Sequence, residues 1–386
     1  MAPVVRYGIN AHLVSTARSY RAAGTSRYLT SLLREFAETP RDEEIWAYLN
    51  DENVPAGFRS REGFVLARSR WPTYRPAARI LWEQGAWPFL LRKDRMALAH
   101  GPAQVLPLAW MGPSVVTIHD LAFMIDSSTF RMRSPTYLRA MVTLAVRRAT
   151  RIITVSEWTR KDVIRLLGAD PERVVSVHNG VDPDYRVIDD RRAIEAFRRG
   201  HGLDGPFILY LGTIEPRKNL IRLIDAYVEI RRRGHTEWPL VLAGGMGPLH
   251  GPIREHAAAT GLSERDLRFA GFVPAEEMPL WYNSAGLFVY PSQYEGFGLP
   301  ALEALSCGTP VVTSNRSSLP EVVGDAGVLV DPLSVTAIAD GMQRVIEDHT
   351  LRERLVQNGL VQARRFSWRT AAEQTLNVYR AAAGMS

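Results

Sequence analysis

Residues 290–312 read YPSQYEGFGLPALEALSCGTPVV and set two carboxylates, Glu295 and Glu303, eight positions apart around Gly296-Phe297-Gly298-Leu299. A carboxylate accepts hydroxyl hydrogen bonds on both oxygens, and amides at a helix start face an anion. Pro300 suits the first helical position, which predicts the Gly298 and Leu299 amides at that start and Glu303 in the first turn. Together these groups suit a polyol that carries phosphate. A first-turn glutamate also compensates the helix dipole without any ligand. Residues 210–220, YLGTIEPRKNL, make a second set. Gly212 turns the chain after an apolar run, and Arg217 and Lys218 stand at or just before a helix N-terminus. Cations are disfavoured there, so two side by side call for an anion. A solvated basic loop is the alternative. Lys218 is one of only three lysines, with Lys93 and Lys161, among 47 cationic side chains.

Weaker signals surround these two. In TIHD, residues 117–120, His119 would emerge at a strand's carboxyl end, suited to a hydroxyl, a phosphate or proton transfer. Asp120 is adjacent, and neighbours on an extended chain point opposite ways, which argues against a dyad. The loop from Asn10 to Gly24 is long and leads into a helix through Gly24-Thr25-Ser26, an anion site or a plain cap. Gly296 to Ala301 also fits G-x-G-x-x-A, with Glu321 about twenty residues on, a formal but weak nicotinamide-dinucleotide pattern. Asp182-Pro183-Asp184 could suggest a divalent metal, but it reads better as a turn. The chain has neither H-E-x-x-H nor G-x-S-x-G.

Positioning these loops requires alternating strands and helices. Apolar runs predict strands at 4–9, 45–49, 96–100, 114–118, 151–155 and 174–177, then at 207–211, 240–243, 268–270, 287–290, 311–313 and 328–330. Helical spacing predicts helices through Tyr28, Leu29, Leu32, Leu33 and Phe36, at 134–148, after Ser156, and at 219–233, 253–260, 276–284, 300–306, 335–347 and onward to the C-terminus. This rhythm means parallel sheets covered by helices, an α/β class. About twelve strands in two similar halves favour two doubly wound, Rossmann-like domains over one eight-fold barrel. The expected limits are 1–185, 186–365 and a final helix at 366–386. Ligands of such sheets bind at the carboxyl ends of strands. Two domains facing each other across a cleft would bring those ends together.

The 386-residue length agrees with two domains, and 46% apolar with 23% charged residues excludes a disordered or fibrous chain. The formal charge is +6. It sits in the first half: residues 1–185 carry +7 and the remainder −1, which suggests an anionic partner for the first half. One cysteine, Cys307, excludes an intrachain disulfide. No signal-peptide pattern is expected at the N-terminus. The longest uncharged run, Met96 to Ile118, is broken by Pro102, Pro107 and Pro113, so no spanning helix is expected there.

Taken together, Glu295 with Glu303, GTIEPRKN, TVSEWTRKD at 154–162 and HNGVD at 178–182 resemble the retaining glycosyltransferases of family 4, which have the GT-B fold. The resemblance implies a C-terminal domain for a nucleotide-diphosphate sugar and an N-terminal domain for the acceptor. It implies that Arg217 and Lys218 hold the diphosphate, helped by the Gly298 and Leu299 amides and the loop at Gly24. Gly212, Gly296 and Phe297 would also bind the donor. Glu303 would take the ribose hydroxyls, Glu295 the transferred sugar, and His119 that sugar near the reaction centre. Phe272 and Val273 would lie near the base. Many members carry an arginine where this chain has Thr213, which shifts charge compensation toward Arg217 and Lys218. The implied reaction moves a hexose, with GDP-mannose favoured, to a glycan or lipid-diphosphate-linked acceptor. It needs no cofactor, metal or nucleic acid. The implied location is cytoplasmic, with peripheral contact at an anionic membrane. The alternatives are a nicotinamide-dependent oxidoreductase and a non-enzymatic binder of anionic surfaces.

Overall fold

The computed structural model describes residues 4–15, 24–55, 57–125, 135–247 and 249–385. They fall into two compact units. One holds the described residues up to Met124, those from 135 to Gly180 and those from Ser367 on; the other holds Val181–Phe366. The sequence limits compare at 185 and 365.

The first unit is built on seven strands: β1 (Arg6–Asn10), β2 (Glu44–Asn50), β3 (Phe64–Ser69), β4 (Leu98–Gly101), β5 (Ser114–Ile118), β6 (Arg151–Thr154) and β7 (Val174–Ser176). Their order is β3-β2-β1-β4-β5-β6-β7. The second unit has β8 (Ile208–Leu211), β9 (Leu240–Ala243), β10 (Leu267–Gly271), β11 (Leu287–Tyr290), β12 (Val311–Ser314) and β13 (Val328–Val330), in the order β10-β9-β8-β11-β12-β13. All pairings between these strands are parallel. Helices cover both faces, as fully buried runs such as Ile208–Leu211 and Leu287–Tyr290 require. Strand order reverses between β1 and β4 in one sheet and between β8 and β11 in the other. At such switch points the following loops diverge and leave a crevice.

Sequence patterning misses β3. Its FVLARS carries Arg68, and as an edge strand it needs no continuous apolar run. It also misses the helical stretch Pro76–Lys93, whose Pro76, Gly85 and Pro88 read as breakers. Pro88 has no N–H for the carbonyl four residues back, and its ring crowds that carbonyl. The chain widens instead into a π turn over Trp82–Ala86. Trp82 and Trp87 then stack, ring centroids 5.8 Å apart, in a core with Tyr48, Leu91 and Met96. Burying roughly 200 Å² per indole contributes on the order of 5 kcal/mol each as an upper figure.

The helix Trp368–Ala382 packs within the first unit. Ser367 caps it by accepting from the Thr370 amide at 3.0 Å. Tyr379 bonds buried His100 at 2.6 Å, and Arg380 grips Glu43 through two bonds of 2.6 and 3.2 Å. Gly180 passes so close to this helix start that a Cβ would sit 2.1 Å from the Trp368 nitrogen. Glycine is therefore required by proximity at the point where the chain leaves this unit.

Candidate functional site

In the second unit the candidate residues gather at the β8/β11 switch point. These strands pair through Ile208 with Leu287 and Leu209 with Phe288, so the loops after Leu211 and Tyr290 rise side by side. After β8, Pro216–Lys218 form a 3-10 turn, and Asn219 adopts a left-handed conformation (φ 63°) before the helix Leu220–Arg232. The Asn219 side-chain amide donates to the carbonyls of Pro291 (3.1 Å) and Pro332 (2.6 Å), which ties together the loops after β8, β11 and β13. The Gln293 amide donates to the Arg217 carbonyl at 3.0 Å and strengthens the same tie.

The two cations do not wait on an external anion, which corrects the expectation from their place before a helix. Lys218 is buried, and its Nζ donates to Glu295 Oε1 and to Tyr290 Oη, both at 2.6 Å. Tyr290 and Ser292 donate to that same Oε1, at 3.0 and 2.5 Å. Arg217 approaches Glu295 Oε2 at 3.3 Å through Nη1 and Glu215 at 2.6 Å through Nε. Burial alone would raise the Glu295 pKa. Lys218 and Arg217 overcome it, helped by the hydrogen bonds of Lys218 and Ser292, and hold the carboxyl at about 2. Burial and Arg217 lower the Lys218 pKa, while Glu295 and Glu215 oppose them. The formal charges of Lys218, Arg217, Glu295 and Glu215 cancel. Arg217 is the more exposed of the two cations.

After Glu295 the glycine-rich turn leads into the helix Leu299–Ser306. Gly298 has φ 106°, a conformation that disfavours side chains, and a Cβ there would meet Leu319 Cδ2 at 2.7 Å. The Ser318 hydroxyl shares its one proton between the carbonyls of Phe297 (2.7 Å) and Glu295 (3.0 Å), which fixes the turn. The first helical hydrogen bonds run from Ala301 and Leu302 to Gly298, so the Gly298 and Leu299 amides lie ahead of the ladder. Glu303 is the fifth helical residue, not a first-turn one. The helix begins at Leu299, and dipole compensation no longer accounts for Glu303. It is 1% exposed and accepts from Tyr282 Oη at 2.9 Å. Gly212 donates its amide to Ala243 at 3.0 Å beside the cluster. Tyr210 donates to the Thr213 carbonyl at 2.9 Å. Phe272 and Val273 follow β10, the edge strand beyond β9, with Phe272 exposed and Val273 buried. The Phe297 ring packs edge-on to Phe366 at 5.8 Å.

In the first unit His119 follows β5. Its Nε2 lies 2.7 Å from the Pro102 carbonyl, which can only accept, so Nε2 carries the proton. Burial lowers the ring's pKa against the opposing Pro102 bond and Asp120. Burial thus favours the neutral ring, whose Nδ1 is free of a proton and suited to accept a hydrogen bond from a hydroxyl. Tyr28 meets it edge-on at 4.8 Å. Asp120 accepts from the Ala122 amide at 3.1 Å and starts a short helix there. Gly24 opens the helix Thr25–Glu38 with a positive φ of 57° that suits glycine, and without a side-chain cap. Ser26 instead accepts from the Ser15 amide at 2.9 Å. Residues 16–23 of that loop lie outside the described residues, as does Ser134.

Sequence reading did not single out Asn219, Tyr282, Tyr290 and Ser292. The Tyr-Pro-Ser that ends β11 is the one local hint for two of them. It also missed a buried polar group at the ends of β1 and β3. There Asn10 donates to Glu83 at 3.2 Å, and His12 bonds Thr73 at 2.9 Å. Glu321 sits in the helix Leu319–Val323, beyond the end of β12, and not at the strand end that a dinucleotide ribose requires. The nicotinamide reading thereby loses its acidic partner. Asp182 and Asp184 lie at a turn closed by the Tyr185 amide on the Asp182 carbonyl, 3.0 Å. Among the described residues no group of three or more His, Cys, Asp or Glu side chains could hold a metal.

A family model described as Glycosyl transferases group 1 matches residues 192–362, and one described as Glycosyltransferase Family 4 matches residues 22–185. The chain is 34% identical over 372 residues to the O-antigen chain mannosyltransferase B of Escherichia coli, covering 94% of this chain and 97% of that protein. It is 32% identical over 289 residues to a D-inositol 3-phosphate glycosyltransferase of Nocardioides, covering 71% of this chain and 63% of that one. Among solved structures it resembles a sucrose-phosphate synthase of Thermosynechococcus elongatus, with TM-score 0.78, 21% identity and coverage of 99% and 100%. It also resembles Anabaena HepE in complex with UDP-glucose, with TM-score 0.73, 19% identity and coverage of 97% and 99%. These two likenesses establish the α/β GT-B fold.

Proposed function

The chain belongs to the family 4 glycosyltransferases, and from that premise we propose that it is a retaining mannosyltransferase using GDP-mannose. The acceptor is a growing glycan, carried on a lipid diphosphate. The supporting observation is the β8/β11 cluster, where Arg217, Lys218 and Glu295 interlock beside a helix start. Mannose is favoured because the near full-length E. coli relative is by name a mannosyltransferase.

The geometry suits departure of a nucleoside diphosphate. Negative charge builds on the leaving oxygen as the sugar–phosphate bond breaks. Groups already fixed in place stabilise that charge without reorganising. Arg217, the more exposed cation, meets the diphosphate together with the Gly298 and Leu299 amides. Buried Lys218 acts chiefly through Glu295, holding the carboxylate ionised and in place for the hydroxyls of the transferred sugar. Glu295 Oε1 already accepts three bonds, so Oε2 is the oxygen that serves a hydroxyl. Glu303, which accepts from Tyr282, takes ribose hydroxyls. His119 accepts a sugar hydroxyl at Nδ1. The acceptor hydroxyl attacks from the face the leaving group departs, and its proton passes to the departing phosphate oxygen. No enzymic base and no resident metal take part.

The excess positive charge of the first half suits an anionic inner membrane surface where such acceptors reside. A thermal-shift panel of GDP-, UDP-, ADP- and dTDP-hexoses tests the donor. GDP-mannose should raise the melting temperature most, by mass action. A larger shift with another nucleotide overturns the donor assignment.

A further inference from the structure

The helical stretch Pro76–Lys93 is continuous. The residues at its α–π–α junctions, Leu81, Trp82, Ala86 and Trp87, all have right-handed helical dihedrals. Its inner face carries Trp82, Trp87 and Leu91 into the core. A surface helix normally turns polar residues outward. This one turns out Ala77, Leu81, Gly85 and Phe89, each four residues from the last, with Leu81 65% and Phe89 64% exposed. Just before it stand Trp71, 43% exposed, and Tyr74, 57% exposed, the latter with the Arg75 guanidinium 5.6 Å from its ring centre.

The charge within this stretch is mainly positive, with Arg70 also 3.9 Å from Asp51 and Arg79 3.8 Å from Glu83. Between residues 70 and 95 there are six cations, Arg70, Arg75, Arg79, Arg92, Lys93 and Arg95, against two acids. Both acids are engaged inward: Glu83 is buried against Asn10, and Asp94 accepts from Tyr48 Oη at 2.8 Å. An outward apolar stripe flanked by cations and aromatic rings matches the boundary of an anionic bilayer, where side chains enter the acyl edge and cations meet headgroup phosphates. A second copy is a poor occupant, because a two-fold interface would bring these like charges face to face.

We propose that residues 71–93 seat the protein on an anionic phospholipid surface. Leu81 and Phe89 enter the acyl boundary, and Arg75, Arg92 and Lys93 lie at the phosphates. The segment begins at the carboxyl end of β3, the same end of the sheet at which His119 leaves β5. Seating there brings a lipid-linked acceptor toward the end of the sheet that carries His119, and this part rests on the transferase reading above.

The test is co-sedimentation with vesicles of phosphatidylcholine alone and with added phosphatidylglycerol, alongside transfer to a water-soluble mannoside. The wild type should sediment only with the anionic vesicles and lose about ten-fold in partitioning when salt is raised. Leu81→Glu/Phe89→Glu should remain in the supernatant while keeping transfer to the soluble acceptor. Arg92→Gln/Lys93→Gln, which leaves the apolar stripe intact, should weaken binding in the same assay. Quenching of wild-type tryptophan fluorescence by brominated anionic lipid should fall with Trp71→Phe. A wild type that ignores anionic vesicles overturns the proposal. So do variants that sediment like the wild type, or light scattering that shows a dimer broken by the first variant without vesicle binding. Vesicle binding without transfer to the soluble acceptor supports the surface and overturns the transferase reading.

Discussion

Lys218 Nζ donates to Glu295 Oε1 at 2.6 Å across 77 residues of sequence, joining the loops that diverge from β8 and β11. Both side chains are buried. The contact makes one unit of two motifs that the sequence presents separately, a basic turn and an acidic glycine-rich loop. A donor entering this crevice meets an assembled cluster.

Removing one partner should expose that dependence. Lys218→Met leaves a buried carboxylate without its closest cation and should cost about 3–5 kcal/mol in urea unfolding. Lys218→Met/Glu295→Leu should recover much of that loss, because no unpaired charge remains. Transfer should stay absent in both. Recovery of turnover in the double variant would show that the pair serves folding alone.

Acid should act on the two units in sequence. His12 and His100 are desolvated to pKa values of about 3, His100 also feeling His119. The unfolded chain takes up these protons near pH 6.5 and the folded chain does not. Stability present above that pH is therefore lost as pH falls from about 6.5 toward 3, on the order of 5 kcal/mol per histidine. Glu295 is depressed from 4.5 to about 2. Its contribution is present above about pH 4.5 and lost between there and 2, on the order of 3 kcal/mol. Hydrogen exchange followed by mass spectrometry should show the first unit opening at higher pH than the second. The reverse order would contradict these assignments.

The C-terminal helix should support only the first unit. Tyr379→Phe leaves buried His100 short of a partner and should cost about 1–3 kcal/mol. Gly180→Ala forces a Cβ against the Trp368 backbone and should release the helix start. Exchange protection should fall in β1, β4 and the helix Thr25–Glu38 and hold in β8 and β11. Equal loss in both units would contradict this.

Burial should make His119 harder to charge than an ordinary histidine, with the neutral ring protonated at Nε2 toward Pro102. Nitrogen NMR shifts should report that tautomer in the neutral form and a titration midpoint below that of an ordinary histidine. His119→Phe, which removes the Nδ1 acceptor, should lower kcat strongly. A charged imidazolium at pH 7 would overturn the acceptor role.

Much of this architecture is legible in the sequence because buried parallel strands such as Leu240–Ala243 and Leu287–Tyr290 are uninterrupted apolar runs. The edge strand β3 and the Pro88 π turn are not, since one carries an arginine and the other depends on stacking between Trp82 and Trp87. The reactive residue types were legible, and their partners were not. Lys218 and Arg217 called for an anion, but only the fold reveals Glu295 and Glu215 as the nearest ones. Likewise Glu303 reads as a first-turn residue until the helix start is known. Tyr290 and Ser292 look like ordinary strand-end residues until Glu295 folds back onto them.

The most direct measurement is the anomeric NMR spectrum of the first product formed from GDP-α-mannose and a mannosyl acceptor. The account predicts a new α-mannosyl linkage from the wild type and none from Arg217→Ala. A β-linked product, or release of free mannose with no transfer, would contradict it.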